Sequence, residues 1–299
     1  MPSRTNPSIT EAQNQERSIR LLSAQRRMYA DAKVIYNLRL SVIMSGGIIG
    51  ATCALIFTQA RPVIGAATGV ILLSLSIAGA ATEKSKVKDA AAVQEEFDTS
   101  IFQLPWNQSK TQRVSPSEVA RASLRHKGSG LTNWYADTEE APRPLDVLMC
   151  QRSNLGWGIS MHRSWAMAAM SSALAVLIIA AIPCLLMHLS FSAALFGVYA
   201  PLIAVTKELL EIWRSNLESA IRKELAEGRA IHLLTNSLET GEIPTESDCR
   251  ELQDEILESR QTNAMIPDWY YRIRRDKDEK AMHLSVMDYI EQAKNKGHW

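Results

Sequence analysis

Cysteine is scarce in this sequence, and its four residues show no paired spacing. They are Cys53, Cys150, Cys184 and Cys249, and no two of them form a CxxC pair in the 299 residues. This pattern argues against a disulfide framework or a zinc site, and we interpret Cys53 and Cys184 as buried small side chains. No short charged segment followed by a cleavage site opens the chain, so we expect no cleaved signal peptide.

Catalytic motifs are missing as well. The sequence contains no Walker loop, GxSxG elbow, HExxH motif or Rossmann fingerprint, and its six histidines show no metal-ligand spacing. Adjacent acids such as Glu95 and Glu96 are usually solvated, and we expect that here. The sequence therefore predicts no enzyme activity, no metal and no other cofactor.

Net charge is nearly absent, because 33 basic residues balance 32 acidic ones, and we expect no DNA or RNA partner. Charge is also missing locally. Residues 40–60, 62–82 and 164–206 contain no Asp, Glu, Lys or Arg. A bilayer core needs about 20 helical residues per crossing. The first two runs fit one crossing each, and the third fits two, with a turn near residues 188–190.

The expected fold is an all-α integral membrane protein with four transmembrane helices in two hairpins and a helical cytoplasmic region. The predicted segments are an N-terminal cytoplasmic helix, hairpin 1, a cytoplasmic middle segment, hairpin 2 and a C-terminal cytoplasmic helical region: 1–39, 40–82, 83–163, 164–206 and 207–299.

Basic residues predict the orientation of these hairpins. Those near the crossings on one side are Arg20, Arg26, Arg27, Lys33, Arg39, Lys84, Lys86, Lys88, Arg152, Arg163, Lys207, Arg214, Arg222 and Lys223. The other side has Arg61 alone. The positive-inside bias therefore places both termini and the middle segment in the cytoplasm, and leaves two very short turns outside.

Small and polar residues suggest how the crossings pack. Two GxxxG pairs, at residues 46–50 and 65–69, allow close helix approach, and internal packing is favoured over an oligomer contact. We expect no ionisable residue within a crossing except His188, near the outer turn, which argues against an ion-coupled transporter. A pore formed by several chains stays open, with Ser45, Thr52, Ser74 and Ser76 as polar candidates for its lining.

Helix signals also occur outside the crossings. Ser8 with Glu11 predicts a capping box at the start of one helix that runs into the first crossing. Thr245 with Asp248 predicts the start of a helix over 245–261, and a further helix is predicted over 278–295. The fourth crossing is predicted to continue to about residue 226, with one apolar face formed by Leu210, Trp213, Leu217, Ile221 and Leu225.

Five segments carry a family resemblance. They are residues 13–29, 95–107 (EEFDTSIFQLPWN), 133–135 (NWY), 150–157 (CQRSNLGW) and 267–270 (PDWY). In this order, and with the two-plus-two helix layout, the chain resembles the SMODS-associated four-transmembrane effector family of bacterial anti-phage systems. The resemblance covers nearly the whole chain.

The resemblance implies an effector in the bacterial inner membrane that is functionally linked to a nucleotidyltransferase. A cyclic di- or oligonucleotide made during phage infection would activate it to perforate or depolarise the membrane, causing abortive infection. Because four helices hardly enclose a wide lumen, a pore would require a homo-oligomer in contact with membrane lipids. The alternatives are a membrane scaffold that binds a cytoplasmic protein without forming a pore, and an integral membrane enzyme with an unrecognised site.

A cyclic nucleotide offers phosphates to pair with and bases to stack on. We therefore expect a ligand site in which Arg152 takes phosphate, Asn154 reads a base edge and Trp157 stacks. Trp106, Trp134 and Tyr135 complete the candidate set. The alternative is that these residues join the middle segment to the membrane helices, where Trp is favoured in any case.

Overall fold

A computed structural model describes residues 7–138, 141–156, 158–270 and 287–296, and these ranges contain helices and no strand. The helices are α1 (Ile9–Ala12), α2 (Glu16–Ile56), α3 (Arg61–Phe102), α4 (Pro116–Leu124), α5 (Leu145–Gly156), α6 (Ile159–Leu186), α7 (Phe191–Ala193), α8 (Ala200–Thr240) and α9 (Glu246–Gln261). A π-helical segment, Ala194–Tyr199, joins α7 to α8, and residues 287–295 are also helical.

Four helical segments are long and apolar enough to cross a membrane: Glu16–Ile56, Arg61–Phe102, Leu145–Leu186 and Phe191–Thr240. The predicted fold class is therefore confirmed. The predicted turn at 188–190 lies where α6 ends and α7 begins, with the Ser190 side chain capping α7.

The chain divides into two compact units. The extramembrane unit comprises Met1–Ala30, Lys86–Met161 and Ser219–Trp299. The membrane unit comprises Asp31–Ser85 and His162–Glu218 and contains both charge-free hairpins. Helices α2, α3 and α8 each supply residues to both units without a break.

Glycines allow close backbone contact in the membrane unit. A methyl group on Gly50 would lie 2.5 Å from Thr68 Cγ2, and one on Gly69 would lie 2.5 Å from the Ala200 carbonyl oxygen. A methyl group on Gly65 would collide with the carbonyl oxygen of Phe196. Both GxxxG pairs are thus used within one chain, as expected for internal packing.

The π-helical segment has a local cause. Ala200 donates its backbone N–H to Leu195, five residues back, and the next residue is Pro201, which has no N–H to donate. The carbonyls of Phe196 and Gly197 face the close approach of Gly65. A glycine at position 65 is therefore what lets α3 pack against this irregular backbone.

Arg61 is buried in the turn between α2 and α3. Its Nε donates to the Ala54 carbonyl at 2.9 Å, and its side chain also contacts Gly197. The guanidinium thus satisfies a carbonyl in the last turn of α2, where a cation is also favoured by the helix dipole.

The remaining surface of the membrane unit suits lipid. Large apolar side chains such as Ile48, Val63, Ile178 and Leu186 are more than half exposed. Cys53 and Cys184 are half-buried, so the expectation that they are buried is wrong; Cys150 and Cys249 are the buried thiols. On a small helical bundle most side chains point outward, and only a second layer of helices would cover them.

The extramembrane unit has its own core. Phe97, Phe102, Leu148, Leu252 and Ile256 are at most 2% exposed, and they pack in one apolar cluster with side chains from α1, α2, α8 and residues 289–293. Helices α3, α5 and α9 therefore form the centre of this unit.

Both predicted capping boxes are confirmed, at Ser8–Glu11 and at Thr245–Asp248. The expectation of a single N-terminal helix is wrong, because α1 ends at Ala12 and α2 begins at Glu16. The Ser18 hydroxyl donates to the Ala12 carbonyl at 2.7 Å and satisfies the end of α1. Sequence periodicity did not reveal this side-chain bond.

Helix α8 extends to Thr240, beyond the predicted end. The predicted apolar face is not the buried one, since Leu210, Ile221 and Leu225 are 40–70% exposed. The buried face instead carries small and polar side chains: Asn216, Ser219, Ala220, Ala226 and Ala230. Small residues let neighbouring helices approach, and this outweighs apolar periodicity here.

Candidate functional site

Two carboxylates lie at the centre of the extramembrane unit. Glu95 and Asp98 are three residues apart on α3, so they share one face of the helix. They are 1% and 0% exposed. The expectation that the adjacent acids are solvated is therefore wrong for Glu95. Burial of a charge requires partners, and each carboxylate has them.

Asp98 joins three side chains. The Tyr135 hydroxyl donates to Oδ1 at 2.8 Å, and Gln253 Nε2 donates to Oδ2 at 3.2 Å. Arg260 Nη1 lies 2.6 Å from Oδ2 as an ion pair. These partners come from the loop after α4 and from α9, so Asp98 links both to α3.

Glu95 is bound by the opposite end of α9. Arg250 Nη2 donates to its Oε1 at 2.8 Å, and Gln253 Nε2 donates to its Oε2 at 2.8 Å. Gln151 of α5 donates in turn to Gln253 Oε1 at 3.0 Å. Gln253 thus bridges the two carboxylates and connects them to α5.

The N-terminal turn holds the NWY loop in place. Tyr135 donates its backbone N–H to Gln13 Oε1 at 2.7 Å, and Gln13 Nε2 donates to the Tyr135 carbonyl at 3.3 Å. Asn133, at φ 53°, exchanges similar bonds with Asn14 at 2.9 and 3.0 Å. Asn tolerates this left-handed conformation better than most residues. The Tyr135 ring is therefore fixed from both its backbone and its hydroxyl.

The structure brings two predicted site residues together. Asn154 Nδ2 donates to the Tyr135 hydroxyl at 2.9 Å, which extends the chain of bonds from Asp98. Burial raises the pKa of Tyr135 well above its ordinary value, and the nearby Asp98 charge raises it further. The phenol therefore stays protonated as the donor to Asp98.

The other predicted site residues lie in different contacts. Trp134 lies under the guanidinium of Arg26, 5.1 Å from its carbon, and Trp106 lies 4.8 Å from that of Arg113. Arg152 is close enough to Glu227 to oppose the rise in the pKa of that carboxyl that burial causes. Trp157 lies outside the described residues. Among the described residues, no hydrogen bond or ring contact joins Trp106 to Tyr135 or Asn154.

Sequence reasoning missed the contribution of α9. Arg250, Gln253 and Arg260 recur at helical spacing on the side of α9 that also buries Leu252 and Ile256. The sequence signal for these residues is their position among the apolar residues that form the buried face of α9. A polar side chain at such a position is buried and needs a hydrogen-bond partner.

A second charged cluster lies in the membrane unit. Arg39 donates to Glu208 at 2.7 Å and to Glu83 at 3.3 Å. Ser76, inside the second predicted crossing, donates to Glu208, and Lys207 Nζ donates to Ser76 Oγ at 2.8 Å. Glu208 is 1% exposed.

The charged members of this cluster lie directly beside the charge-free runs, at Arg39, Glu83, Lys207 and Glu208. Lys207 and Glu208 follow the charge-free run in sequence, but their charged ends bond to a serine within another crossing. Of the other proposed pore-lining residues, Ser45, Thr52 and Ser74 are exposed and donate to their own helix, four residues back.

Within the described ranges, no group of three or more His, Cys, Asp or Glu side chains is placed to hold a metal ion. The buried centre of the extramembrane unit is built from Arg, Gln, Tyr and carboxylate groups. Such groups recognise polar and charged ligands by hydrogen bonds and ion pairs.

These features define a class: an all-α membrane protein with four membrane-crossing segments and a separate helical unit built around buried charges. A family model of the SMODS-associating 4TM effector domain matches residues 7–288, and the chain belongs to this family. It is also 26% identical over 286 residues to a probable CBASS effector molecule from Bacillus cereus (strain VD146), covering 92% of this chain and 95% of that relative. No solved structure matches the chain.

Proposed function

We propose that the protein is a membrane effector of bacterial anti-phage defence that a cyclic nucleotide switches on from the cytoplasm. In the active state several chains form a pore or otherwise disrupt the inner membrane, and the cell stops growing before phage matures. No catalytic step is part of this proposal. The ligand comes from a partner nucleotidyltransferase.

The observation that carries the proposal is the continuity of α3. This unbroken helix holds Ser76, which bonds to the charged cluster of the membrane unit, and also Glu95 and Asp98. A ligand that changes the partners of Asp98 therefore acts on the helix that bonds to Glu208 through Ser76. Helices α2 and α8 are likewise continuous from one unit to the other.

The proposal uses several chains because, in the described membrane unit, most of the core between the helices is apolar. Ser45, Thr52 and Ser74 are exposed, whereas the core between the membrane helices is apolar and includes Ile43, Leu72 and Val205. Exposed serine and threonine faces of neighbouring chains would line an aqueous path. The proposal thus includes a homo-oligomer in the active state.

The proposed orientation has both termini in the cytoplasm. The excess of Lys and Arg on one side of the crossings supports it. With only short turns outside, the extramembrane unit is the part of the protein that would meet a cytoplasmic ligand and its source.

The proposal is tested in bacteria that express the protein together with its candidate nucleotidyltransferase. We expect phage infection to collapse the membrane potential, read with a potential-sensitive dye, and to reduce phage yield. A catalytically inactive nucleotidyltransferase is the control, and it should leave both unchanged. Phage protection without any change in potential or dye entry would favour the scaffold alternative.

A further inference from the structure

Arg260 is a buried cation with unused hydrogen-bonding capacity. Its side chain is 10% exposed, and its one ion pair among the described residues is with Asp98. Among the described residues, neither Nη1 nor Nη2 of Arg260 makes a hydrogen bond. Nη1 lies 2.6 Å from Asp98 Oδ2, but this contact lacks hydrogen-bond geometry. Buried donors without acceptors cost free energy, so this guanidinium is prepared for an additional acceptor.

Asp98 is already shared between Arg260 and two other donors. Its Oδ1 accepts from Tyr135, and its Oδ2 accepts from Gln253. Glu95, the next buried carboxylate, is bonded to Arg250 and Gln253. The acids near Arg260 are therefore already engaged by other donors.

A second cation lies level with Arg260 on the neighbouring helix. Helices α8 and α9 run antiparallel here, since Arg229 Nη1 bonds to Glu255 at 2.8 Å and Arg222 Nη1 to Thr262 at 2.8 Å. The same register places Lys223 opposite Arg260. Burial, together with the Arg260 charge, lowers the pKa of Lys223 to about 8.

Two tyrosines and an asparagine lie near this pair. The phenol of Tyr29 is near enough to Arg260 and Asp98 for both charges to affect its pKa. Tyr135 and Asn154 are joined by a 2.9 Å hydrogen bond next to Asp98. The Tyr135 ring packs against Phe97 and Phe102, so a base would stack on Tyr29, and the Asn154 amide would read a base edge.

We propose that Arg260 and Lys223 form the phosphate-binding part of the cyclic-nucleotide site, with Asp98 holding the Arg260 guanidinium until ligand arrives. This inference rests on the proposed function. A phosphodiester binds the free Nη donors in bidentate geometry and replaces Asp98 as the anion beside Arg260. Asp98 keeps its bonds to Tyr135 and Gln253, and α3 loses its link to Arg260. The site differs from the one expected around Arg152.

The experiment measures binding to purified protein in detergent by thermophoresis. The probes are cyclic di-AMP, cyclic di-GMP, cyclic GMP–AMP and cyclic tri-AMP, with inorganic phosphate as a separate arm. We expect Arg260→Gln to weaken binding of the recognised nucleotide by about 10- to 100-fold. Asp98→Asn should bind at least as tightly as wild type, because the competing anion is gone. Arg222→Gln, which alters an exposed cation one residue from Lys223, is the matched control and should bind normally.

Both substitutions break the Asp98–Arg260 ion pair, but only Arg260→Gln removes the guanidinium that would bind phosphate. Opposite effects on nucleotide affinity therefore distinguish a ligand site from a purely structural ion pair. If Arg260→Gln does not fold, the double variant Asp98→Asn/Arg260→Gln leaves no unpaired buried charge at these two positions. Lys223→Gln tests the second cation. The double variant and Lys223→Gln should each bind the nucleotide more weakly than wild type. Wild-type binding with unchanged affinity in these variants overturns this inference and leaves the proposed function standing. No binding of any cyclic nucleotide by wild type overturns both, and equal binding of inorganic phosphate alone identifies a simple anion site and overturns the nucleotide assignment.

Discussion

Glu95, Asp98, Glu208 and Arg260 are charged side chains from which water is nearly excluded. A buried ion pair is weak evidence for stability, because desolvation offsets most of the attraction. Removing one partner is costly, however, because the other charge stays behind. Such pairs suit a protein whose contacts must exchange when a ligand binds, and this is the role we assign to Asp98 and Arg260.

Replacement of Glu208 tests the cluster of the membrane unit. Glu208→Gln removes the charge that faces Arg39 and Lys207, and we expect the free energy of unfolding to fall by about 3–5 kcal/mol. Thermal denaturation in detergent measures this. Arg214→Ala, which breaks the exposed Arg214–Glu218 pair, is the control and should cost at most about 1 kcal/mol. Equal effects of the two substitutions would contradict the assignment.

Lys223 gives a pH prediction. Its pKa falls from 10.5 in the unfolded chain to about 8 in the folded protein. The unfolded state therefore binds more protons between these values, and this group makes the protein more stable as pH rises from about 8 to 10.5. Arg260 from α9 stays charged, and burial raises the pKa of Tyr29 on α2 to about 12.

The measurement compares melting temperatures of wild type and Lys223→Met from pH 7 to 10. We expect the advantage of Lys223→Met to shrink as pH rises. The buried thiols Cys150 and Cys249, whose pKa values burial also raises, contribute equally to both proteins and cancel in the difference. A difference that does not change with pH would contradict the prediction.

At the residue scale, the sequence indicated Tyr135 and Asn154 but not their partners. EEFD marks a segment that stands out, yet only the fold places Asp98 against Arg260, which lies 162 positions later in the chain. Long-range pairing of this kind depends on how α3 and α9 pack, and no local pattern encodes it. The apolar face of α8 was mispredicted for a related reason: small side chains, and not large ones, mark where helices meet.

At the element scale, the four crossing helices could be predicted from the sequence, because their length and lack of charge define them. The break between α1 and α2 was not, because a single side-chain hydrogen bond from Ser18 satisfies the end of α1. The π-helical segment was also not predicted. Its consequence is the narrow contact between α3 and residues 196–197.

Gly65 tests that contact. Gly65→Ala introduces a methyl group against the Phe196 and Gly197 backbone, which has no flexible side chain to yield. We expect the free energy of unfolding to fall by about 1–3 kcal/mol, or folding to fail. Gly228→Ala, in open space on α8, is the matched control and should raise it by about 0.5–1 kcal/mol. A harmless Gly65→Ala would show that α3 does not approach this backbone closely.

At the scale of the whole molecule, the proposed orientation rests on the bias of Lys and Arg to one side of the crossings. A C-terminal fusion to green fluorescent protein should fluoresce, and a C-terminal fusion to alkaline phosphatase should be inactive, because only the periplasm supports that enzyme's folding. Alkaline phosphatase inserted at the turn near His188 should be active. The reverse pattern would contradict the orientation and, with it, a cytoplasmic ligand.

The central claim is that a cyclic nucleotide makes this membrane protein permeabilise a bilayer. The most direct measurement is release of a fluorescent dye from liposomes that contain the purified protein, with each cyclic nucleotide enclosed or added so that it reaches the extramembrane unit. We predict rapid release with one of the cyclic nucleotides and none without it, and loss of release in Arg260→Gln but not in Arg222→Gln. Nucleotide binding without any release of dye or ions would contradict the claim.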